Sequence, residues 1–137
     1  MYSVTKIVSF CYGHRLLNYE GKCKYLHGHN GRAEILLEAE NLDHRGMVID
    51  FTDIKNIIKN FINEQLDHKI LLCREDKLAP VLKQMNEPHF LLDVNPTAEN
   101  IAKLICGRLL KNFKSETAKI VKVTVCETPE ACASYYA

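Results

Sequence analysis

The chain has 137 residues, a length that fits one domain, because domains run to roughly 100 to 200 residues. Hydrophobic residues make up 47% and charged residues 26%, and the formal net charge is only +1. This balance is ordinary for a globular protein and excludes a broad electrostatic surface for nucleic acid or a membrane. We therefore expect a single globular domain over residues 1–137.

The cellular compartment follows from what the sequence lacks. No apolar run approaches the roughly 18 residues of a membrane span, and the N-terminus lacks the zones of a signal peptide. Six cysteines are scattered without a disulfide or CxxC pattern: Cys11, Cys23, Cys73, Cys106, Cys126 and Cys132. We therefore expect a cytoplasmic protein with six reduced thiols, most of them buried.

The first forty residues predict two strands joined by a polar loop. Residues 2–11 have the β-branched and aromatic composition of a pleated surface. Residues 29–40 alternate apolar and charged side chains, an alternation that Leu36 interrupts. Residues 18–24 form the loop between the two strands.

Helical spacing begins after a connection at residues 41–46 and a short extended piece at residues 47–51. An apolar stripe from Ile54 to Leu66 predicts a helix that Asp50 or Thr52 caps. Residues 76–86 predict a short helix, and residues 89–92 form a short apolar run.

A second long helix and a closing strand complete the chain. Asn95-Pro96-Thr97 is a typical helix opening, with Thr97 as the N-cap. Residues 119–127 alternate valines with polar side chains and predict a strand, and residues 133–136 a further short one. Strands segregated from helices indicate an α+β fold with helices on one face of an antiparallel sheet.

Three histidines lie close together in the sequence, near the ends of the first two strands. His27 and His29 are two residues apart, so both imidazoles point to one side of a strand. His14 reaches the same point if the two strands pair. Three imidazoles without a fourth protein ligand are typical of catalytic zinc, which keeps one position open. Alternatively, all three are surface histidines, since His-x-His is common.

Cys23, four residues before His27, has three possible roles. It is a metal ligand, a thiolate favoured by the charges of Lys22 and Lys24, or a structural thiol. Four cations near these histidines form either a phosphate-binding patch or a solvated charged face: Arg15, Lys22, Lys24 and Arg32.

Two carboxylates are candidates for chemistry. Asp67 precedes His68 and can fix an imidazole tautomer, although a histidine there also suits a helix C-terminus. Glu127 continues the valine row, so a carboxylate stands where a core side chain is expected and needs a partner. Alternatively, the strand ends at residue 126 and Glu127 faces water.

Six motifs run in order along nearly the whole chain: Phe10–Arg15 (FCYGHR), Cys23–Asn30 (CKYLHGHN), Gly46–Phe51, Leu66–His68, Asn95–Asn100 and Val125–Pro129. Together they resemble the 6-pyruvoyl-tetrahydropterin synthase / 6-carboxytetrahydropterin synthase family. That resemblance implies the tunnelling fold (T-fold), a four-stranded antiparallel sheet with two helices on one face, assembled into an oligomeric barrel. It also implies a homohexamer, a dimer of trimers, with active sites between subunits.

The resemblance further implies a role for each matching residue. Zn2+ would be held by His14, His27 and His29. Cys23 would accept protons, with Asp67 and His68 as a relay pair. Glu127 would anchor the pterin ring, since a carboxylate accepts two hydrogen bonds from an amino-pyrimidine edge, and Thr97 would join it in binding substrate.

The spacing between Cys23 and His27 resembles the bacterial carboxytetrahydropterin branch. The implied activity is a zinc-dependent lyase that converts 7,8-dihydroneopterin triphosphate to 6-carboxy-5,6,7,8-tetrahydropterin, with release of acetaldehyde and triphosphate, towards queuosine and other 7-deazapurines. The alternatives are a 6-pyruvoyl-tetrahydropterin synthase, a related pterin side-chain lyase, or a zinc- and pterin-binding protein without turnover.

The chain departs from the family pattern at a few positions. Tyr12 and Gly13 stand where small alanine-like residues are usual, and Gly31 replaces a common aromatic residue. The segment from residue 73 to residue 94 is longer than in compact members.

Overall fold

The computed structural model describes every residue, Met1–Ala137, as one mixed sheet with three helices. The elements in chain order are β1 (Tyr2–His14), β2 (His27–Ala39), α1 (Phe51–Phe61), β3 (Lys69–Cys73), α2 (Leu78–Gln84), β4 (His89–Leu92), α3 (Ala98–Asn112), β5 (Lys119–Thr128) and β6 (Ala131–Tyr136). A 3₁₀ turn, Lys22–Lys24, lies between β1 and β2, and a π-helical turn, Ile62–Leu66, follows α1. None of the three helices is both long and apolar enough to cross a membrane.

The sheet has six strands in the order β4-β3-β1-β2-β5-β6. The pairs β1–β2, β2–β5 and β5–β6 are antiparallel, as predicted for the central sheet. The expected count of four strands is wrong, because β3 and β4 add two short parallel strands beyond β1. Periodicity could not reveal them, since a short apolar run in a sequence fits a buried strand or a helix segment equally well.

The two long strands extend further than their sequence patterns indicated. β1 continues to His14 and β2 begins at His27, so these two histidines pair directly across the strands. The extended piece expected at residues 47–51 ends one residue earlier: Asp50 is extended, residues 47–50 join no strand, and α1 begins at Phe51. The α1 N-cap is Asp50, whose side chain accepts a hydrogen bond from the Thr52 N–H.

The core lies between one face of the sheet and the long helices. Ile54 and Ile58 of α1 and Ile101 and Ile105 of α3 are fully buried in one apolar cluster with the inward side chains of β1, β2 and β5. The N-cap prediction for α3 is confirmed, since Thr97 Oγ1 accepts a hydrogen bond from the Asn100 N–H. The predicted α+β class, with two long helices on one face of the sheet, is confirmed, whereas the short α2 packs against Leu72 on the opposite face.

The expectation of six reduced cysteines is wrong for two of them. Cys126 and Cys132 form a disulfide across the β5–β6 pair, where they stand opposite each other in register. The sequence-based prediction began β6 at residue 133, which left Cys132 outside the strand and hid this pairing. The other four cysteines are free thiols.

Candidate metal centre

The three predicted histidines converge at one end of the helix-covered face of the sheet, and we call them the imidazole cluster (His14, His27 and His29). His14 Nε2 lies 3.1 Å from Nε2 of His27 and 3.1 Å from Nε2 of His29. The convergence follows from register, because His14 stands opposite His27 and His29 points to the same side of β2. His14 is only 2% exposed, so the alternative of three surface histidines is wrong.

Backbone carbonyls orient two of the rings. His14 Nδ1 lies 2.7 Å from the Pro96 carbonyl oxygen, and His27 Nδ1 lies 2.7 Å from that of Tyr25. A ring that donates from Nδ1 keeps the lone pair of Nε2 free for a metal. Burial lowers the pKa of His14, against the opposing effects of the Pro96 hydrogen bond and the Glu127 charge, so the ring favours its neutral, ligating form.

The donor set fits a divalent transition metal. Ligands about 2.0 to 2.1 Å from a tetrahedral zinc are about 3.3 Å apart, close to the spacing of the imidazole nitrogens. The three nitrogens come from two adjacent, hydrogen-bonded strands, whose register brings them together. They leave one side of the cluster free of a fourth histidine or cysteine.

Glu127 of β5 faces this cluster. Its Oε1 lies 3.7 Å from His14 Nε2, and its Oε2 lies 3.9 Å from His29 Nε2. The valine row therefore continues through Glu127, as the alternation predicted, and the alternative in which the strand ends at residue 126 is wrong. The carboxylate, 26% exposed, lies at the open side of the cluster.

The Tyr12 ring packs against the imidazoles of His14 and His29, and the sequence did not identify it as a site residue. Its ring stacks on Phe10 at 5.2 Å and meets His14 edge-on at 5.2 Å. Burial, and then the charge of Glu127, raise the pKa of the phenol above its ordinary value. The only signal in the sequence was an aromatic residue at a position where the resemblance expected a small one.

Asn95 and Pro96 were also missed as site residues, because the sequence identified them only as a helix opening. The Asn95 side chain accepts a hydrogen bond from the Leu17 N–H and donates one to the Leu17 carbonyl, both at 2.8 Å. These bonds fix the chain just after His14 against the start of α3. The Pro96 carbonyl is thereby held where His14 Nδ1 needs it.

The predicted relay pair lies on the other face of the sheet, in what we call the thiol cluster (Cys11, Asp67 and His68). Asp67 Oδ2 lies 2.9 Å from His68 Nδ1, and Asp67 Oδ1 accepts a hydrogen bond of 2.9 Å from the Cys11 N–H. Cys11 alternates with Tyr12 along β1, so its thiol points away from the imidazole cluster. The three potential ligand atoms lie within 4.8 Å of one another.

The thiol cluster is more open than the imidazole cluster. The His68 side chain is 78% exposed, although its backbone is held at a φ of 56° by a hydrogen bond from its N–H to the Cys11 carbonyl. Burial alone would raise the pKa of Asp67, but hydrogen bonds from the Cys11 N–H and from His68 hold it below its usual range. A cavity of about 450 Å³ adjoins this pair.

Cys23 lies in the 3₁₀ turn, apart from the Asp67–His68 pair of its own chain. It is half-buried, and its carbonyl accepts a hydrogen bond from the Leu16 N–H at 2.9 Å. Two of the four cations considered for a phosphate patch are engaged elsewhere: Arg15 pairs with the buried Asp76, and Arg32 with Glu34.

Comparisons with known proteins agree with the predicted family. Residues 3–137 match the family model of 6-pyruvoyl tetrahydropterin synthase. A relative from Rickettsia bellii, named 6-carboxy-5,6,7,8-tetrahydropterin synthase, is 37% identical over 135 residues, which cover 94% of this chain and 96% of the relative.

Solved structures extend the likeness to the fold. An uncharacterized protein from Wolinella succinogenes superposes with a TM-score of 0.85 at 28% identity, over 98% of this chain and 97% of its own. The 6-pyruvoyl tetrahydropterin synthase of Caenorhabditis elegans gives 0.73 at 23% identity, over 99% and 95%. These likenesses confirm the expected tunnelling fold.

Proposed function

The chain belongs to the 6-pyruvoyl tetrahydropterin synthase family, and from that membership we propose that it is a zinc-dependent pterin side-chain lyase. The proposed reaction converts 7,8-dihydroneopterin triphosphate and one water molecule to 6-carboxy-5,6,7,8-tetrahydropterin, acetaldehyde and triphosphate. The name of the Rickettsia bellii relative supports this reaction over the pyruvoyl one. The observation that carries the proposal is the convergence of three imidazole nitrogens beside Glu127.

The proposed Zn2+ ligands are His14, His27 and His29 through their Nε2 atoms. A zinc ion at this position would act as a Lewis acid that polarises the side-chain oxygens of the substrate. The carbonyls of Pro96 and Tyr25 would orient two of the ligands, because each accepts the Nδ1 proton and keeps Nε2 directed at the ion.

Proton movement is assigned to Cys23 and the Asp67–His68 pair. A thiolate can take a proton from carbon, and an exposed imidazole can exchange that proton with its surroundings. Within one chain the pair lies beside Cys11, on the sheet face opposite the imidazole cluster. The pair that serves Cys23 would therefore come from a second subunit, as in the proposed homohexamer with sites between subunits.

Glu127 and Thr97 are the proposed substrate-binding residues. Both carboxylate oxygens of Glu127 face the imidazole cluster, so the substrate group that they accept hydrogen bonds from would lie directly beside the ion. Thr97 Oγ1 already accepts the Asn100 N–H, which leaves its hydroxyl proton for a substrate acceptor.

Product identification tests this function. Purified zinc-loaded protein is incubated with 7,8-dihydroneopterin triphosphate, and the products are identified by mass spectrometry, with acetaldehyde measured separately. We expect 6-carboxytetrahydropterin and acetaldehyde in equal amounts. A 6-pyruvoyl product without acetaldehyde would replace the proposed reaction with the pyruvoyl one, and unchanged substrate would contradict catalysis.

The catalytic assignment needs its own control. Cys23→Ala should keep zinc and pterin binding but lose turnover, whereas Cys106→Ala, at a buried free thiol in α3 that has no role in the proposed reaction, should keep binding and turnover. Unchanged turnover in Cys23→Ala would contradict its role in proton transfer.

The proposed cellular role is the synthesis of 7-deazapurines such as queuosine. A strain that lacks the gene should lose queuosine from its transfer RNA and regain it on expression of this chain. Restored queuosine with the wild type but not with Cys23→Ala would tie the pathway to turnover.

A further inference from the structure

The Tyr12 hydroxyl is an anomaly in an otherwise satisfied interior. Tyr12 is 4% exposed, and its Oη is the one buried side-chain oxygen or nitrogen without a hydrogen-bond partner in the protein. Burying a hydroxyl without a partner destabilises a fold, whereas a phenylalanine would fill the same space without that cost. A tyrosine at this position therefore calls for a reason other than packing.

The surroundings of the hydroxyl belong to the candidate metal centre. The ring lies 5.2 Å from that of His14 and 5.7 Å from that of His29, measured between ring centres. Glu127 faces the same two imidazoles, at 3.7 Å from His14 Nε2 and 3.9 Å from His29 Nε2. The Tyr12 side chain therefore packs directly against the imidazole cluster that Glu127 faces.

The opposite strand makes room for this ring. A Cβ added to Gly31 would lie 2.7 Å from Tyr12 Cε1, closer than side chains approach one another. Gly31 pairs with Phe10 across the strands, so the Tyr12 ring lies diagonally over the glycine. A side chain at position 31 would therefore displace the Tyr12 ring, and Gly31 leaves the space that the ring and its hydroxyl occupy.

We propose that Tyr12 is a specificity-determining residue whose hydroxyl donates a hydrogen bond to an oxygen of the molecule bound at the imidazole cluster. The ligand class is a pterin with a hydroxylated side chain, since its oxygens would lie beside the cluster and Glu127. This inference rests on the proposed function. In the free protein the unpaired hydroxyl lowers stability, and the bound ligand provides its acceptor.

The test removes one oxygen atom and measures its effects on ligand binding and on stability separately. Tyr12→Phe removes only the hydroxyl, and Tyr136→Phe, whose side chain is exposed on β6, is the matched control. Each zinc-loaded variant is titrated calorimetrically with neopterin, which carries the trihydroxypropyl side chain, and with 6-methylpterin, which does not. Zinc content is measured by elemental analysis and stability by thermal unfolding.

We expect Tyr12→Phe to bind neopterin about tenfold more weakly and 6-methylpterin with unchanged affinity, at full zinc content. The ligand-free variant should unfold at a temperature higher by roughly 3 °C, because a buried unpaired hydroxyl has been removed. Tyr136→Phe should match the wild type in all measurements. A structural role for the hydroxyl would instead lower the unfolding temperature.

Equal neopterin affinity in wild type and Tyr12→Phe would overturn this inference and leave the proposed function intact. An equal loss of affinity for both ligands would also overturn it, because the hydroxyl would then not recognise the ligand's hydroxylated side chain. If zinc-loaded wild type failed to bind neopterin, the proposed function and the inference would fall together.

Discussion

The two faces of the sheet carry the two candidate clusters, and their burial differs sharply. His14 of the imidazole cluster is 2% exposed, and its Nδ1 is bound to a backbone carbonyl. The His68 side chain of the thiol cluster is 78% exposed, and its Nδ1 is bound to a carboxylate. A buried neutral ring with a free lone pair suits metal binding, whereas an exposed ring against a carboxylate suits proton exchange.

A single strand contributes side chains to both clusters. β1 presents Tyr12 and His14 to the helix-covered face and Cys11 to the other, because neighbouring side chains alternate. β2 and the start of α3 complete the imidazole cluster on one face. The end of the π-helical turn completes the thiol cluster on the other. The predictions below test how independent the two faces are.

The largest effect is expected from His27→Ala. Removal of one of three imidazoles should lower zinc content from one ion per chain to below about a tenth and reduce turnover by roughly 10³-fold or more. Elemental analysis and product formation measure the two quantities. Circular dichroism should be unchanged, since the side chain is half-buried and bonded locally to the Tyr25 carbonyl. Full zinc occupancy in this variant would contradict the assigned ligand set.

A smaller catalytic effect is expected on the other face. His68→Ala should lower turnover by roughly 10² to 10⁴-fold, the usual range for an acid–base group, while zinc content stays at one per chain. The comparison with His27→Ala separates metal binding from proton transfer. Loss of zinc from the His68 variant would show that the two faces are not independent.

The chain just after the imidazole cluster is stabilised by an ion pair. Arg15 Nε donates to Asp76 Oδ2 at 2.8 Å, and this bond holds the pKa of Asp76 below its usual range although burial opposes it. Asp76→Asn should lower the free energy of unfolding at neutral pH by about 2 kcal/mol. This is less than the loss of about 3 to 5 kcal/mol for a fully buried pair, because the Arg15 side chain is 30% exposed.

The pH dependence of this effect has a definite sign. A carboxyl with a depressed folded pKa stabilises the protein above its unfolded pKa of about 3.9, and the contribution is lost as the pH falls through the folded value. Urea titrations should therefore show the difference between wild type and Asp76→Asn at pH 6 to 7 and its decline below about pH 4. A difference that grew in acid would contradict the assignment.

An effect of similar size on stability concerns the strand that presents Glu127. Cys132→Ser opens the disulfide to Cys126, which closes a loop with a sequence separation of only 6, so the loss of stability should be about 2 kcal/mol. Thiol titration under denaturing conditions should find four free thiols before reduction and six afterwards. Six thiols at the start would show that the pair is reduced in the purified protein.

Local patterns made several features predictable. The cap Thr97 was predicted, and Asp50 was one of two candidates for the cap of α1, because a capping side-chain oxygen bonds a backbone N–H only a few residues away. The alternation in residues 29–40 predicted which face of β2 is buried. The ordered motifs predicted the family, which no single motif could have done.

Contacts between distant segments were not predictable in the same way. Cys11 accompanies Asp67 because the end of the π-helical turn returns to β1, a contact across 56 positions. Cys126 bonds to Cys132 because β6 begins at Ala131, two residues before its predicted start, and places the two cysteines opposite each other. Asp76 reaches Arg15 from a segment whose sequence carried no functional signal.

The spacing of His27 and His29 was sufficient to predict that two imidazoles share one side of a strand, because side chains alternate with a period of two. The meeting of His14 with these two rings depends on the register of β1 against β2, which is a property of the folded sheet. The same holds for Glu127 and the Tyr12 hydroxyl, whose positions are set by packing across three strands. Separation along the sequence does not predict such packing, because the packing depends on the order and register of the strands in the sheet.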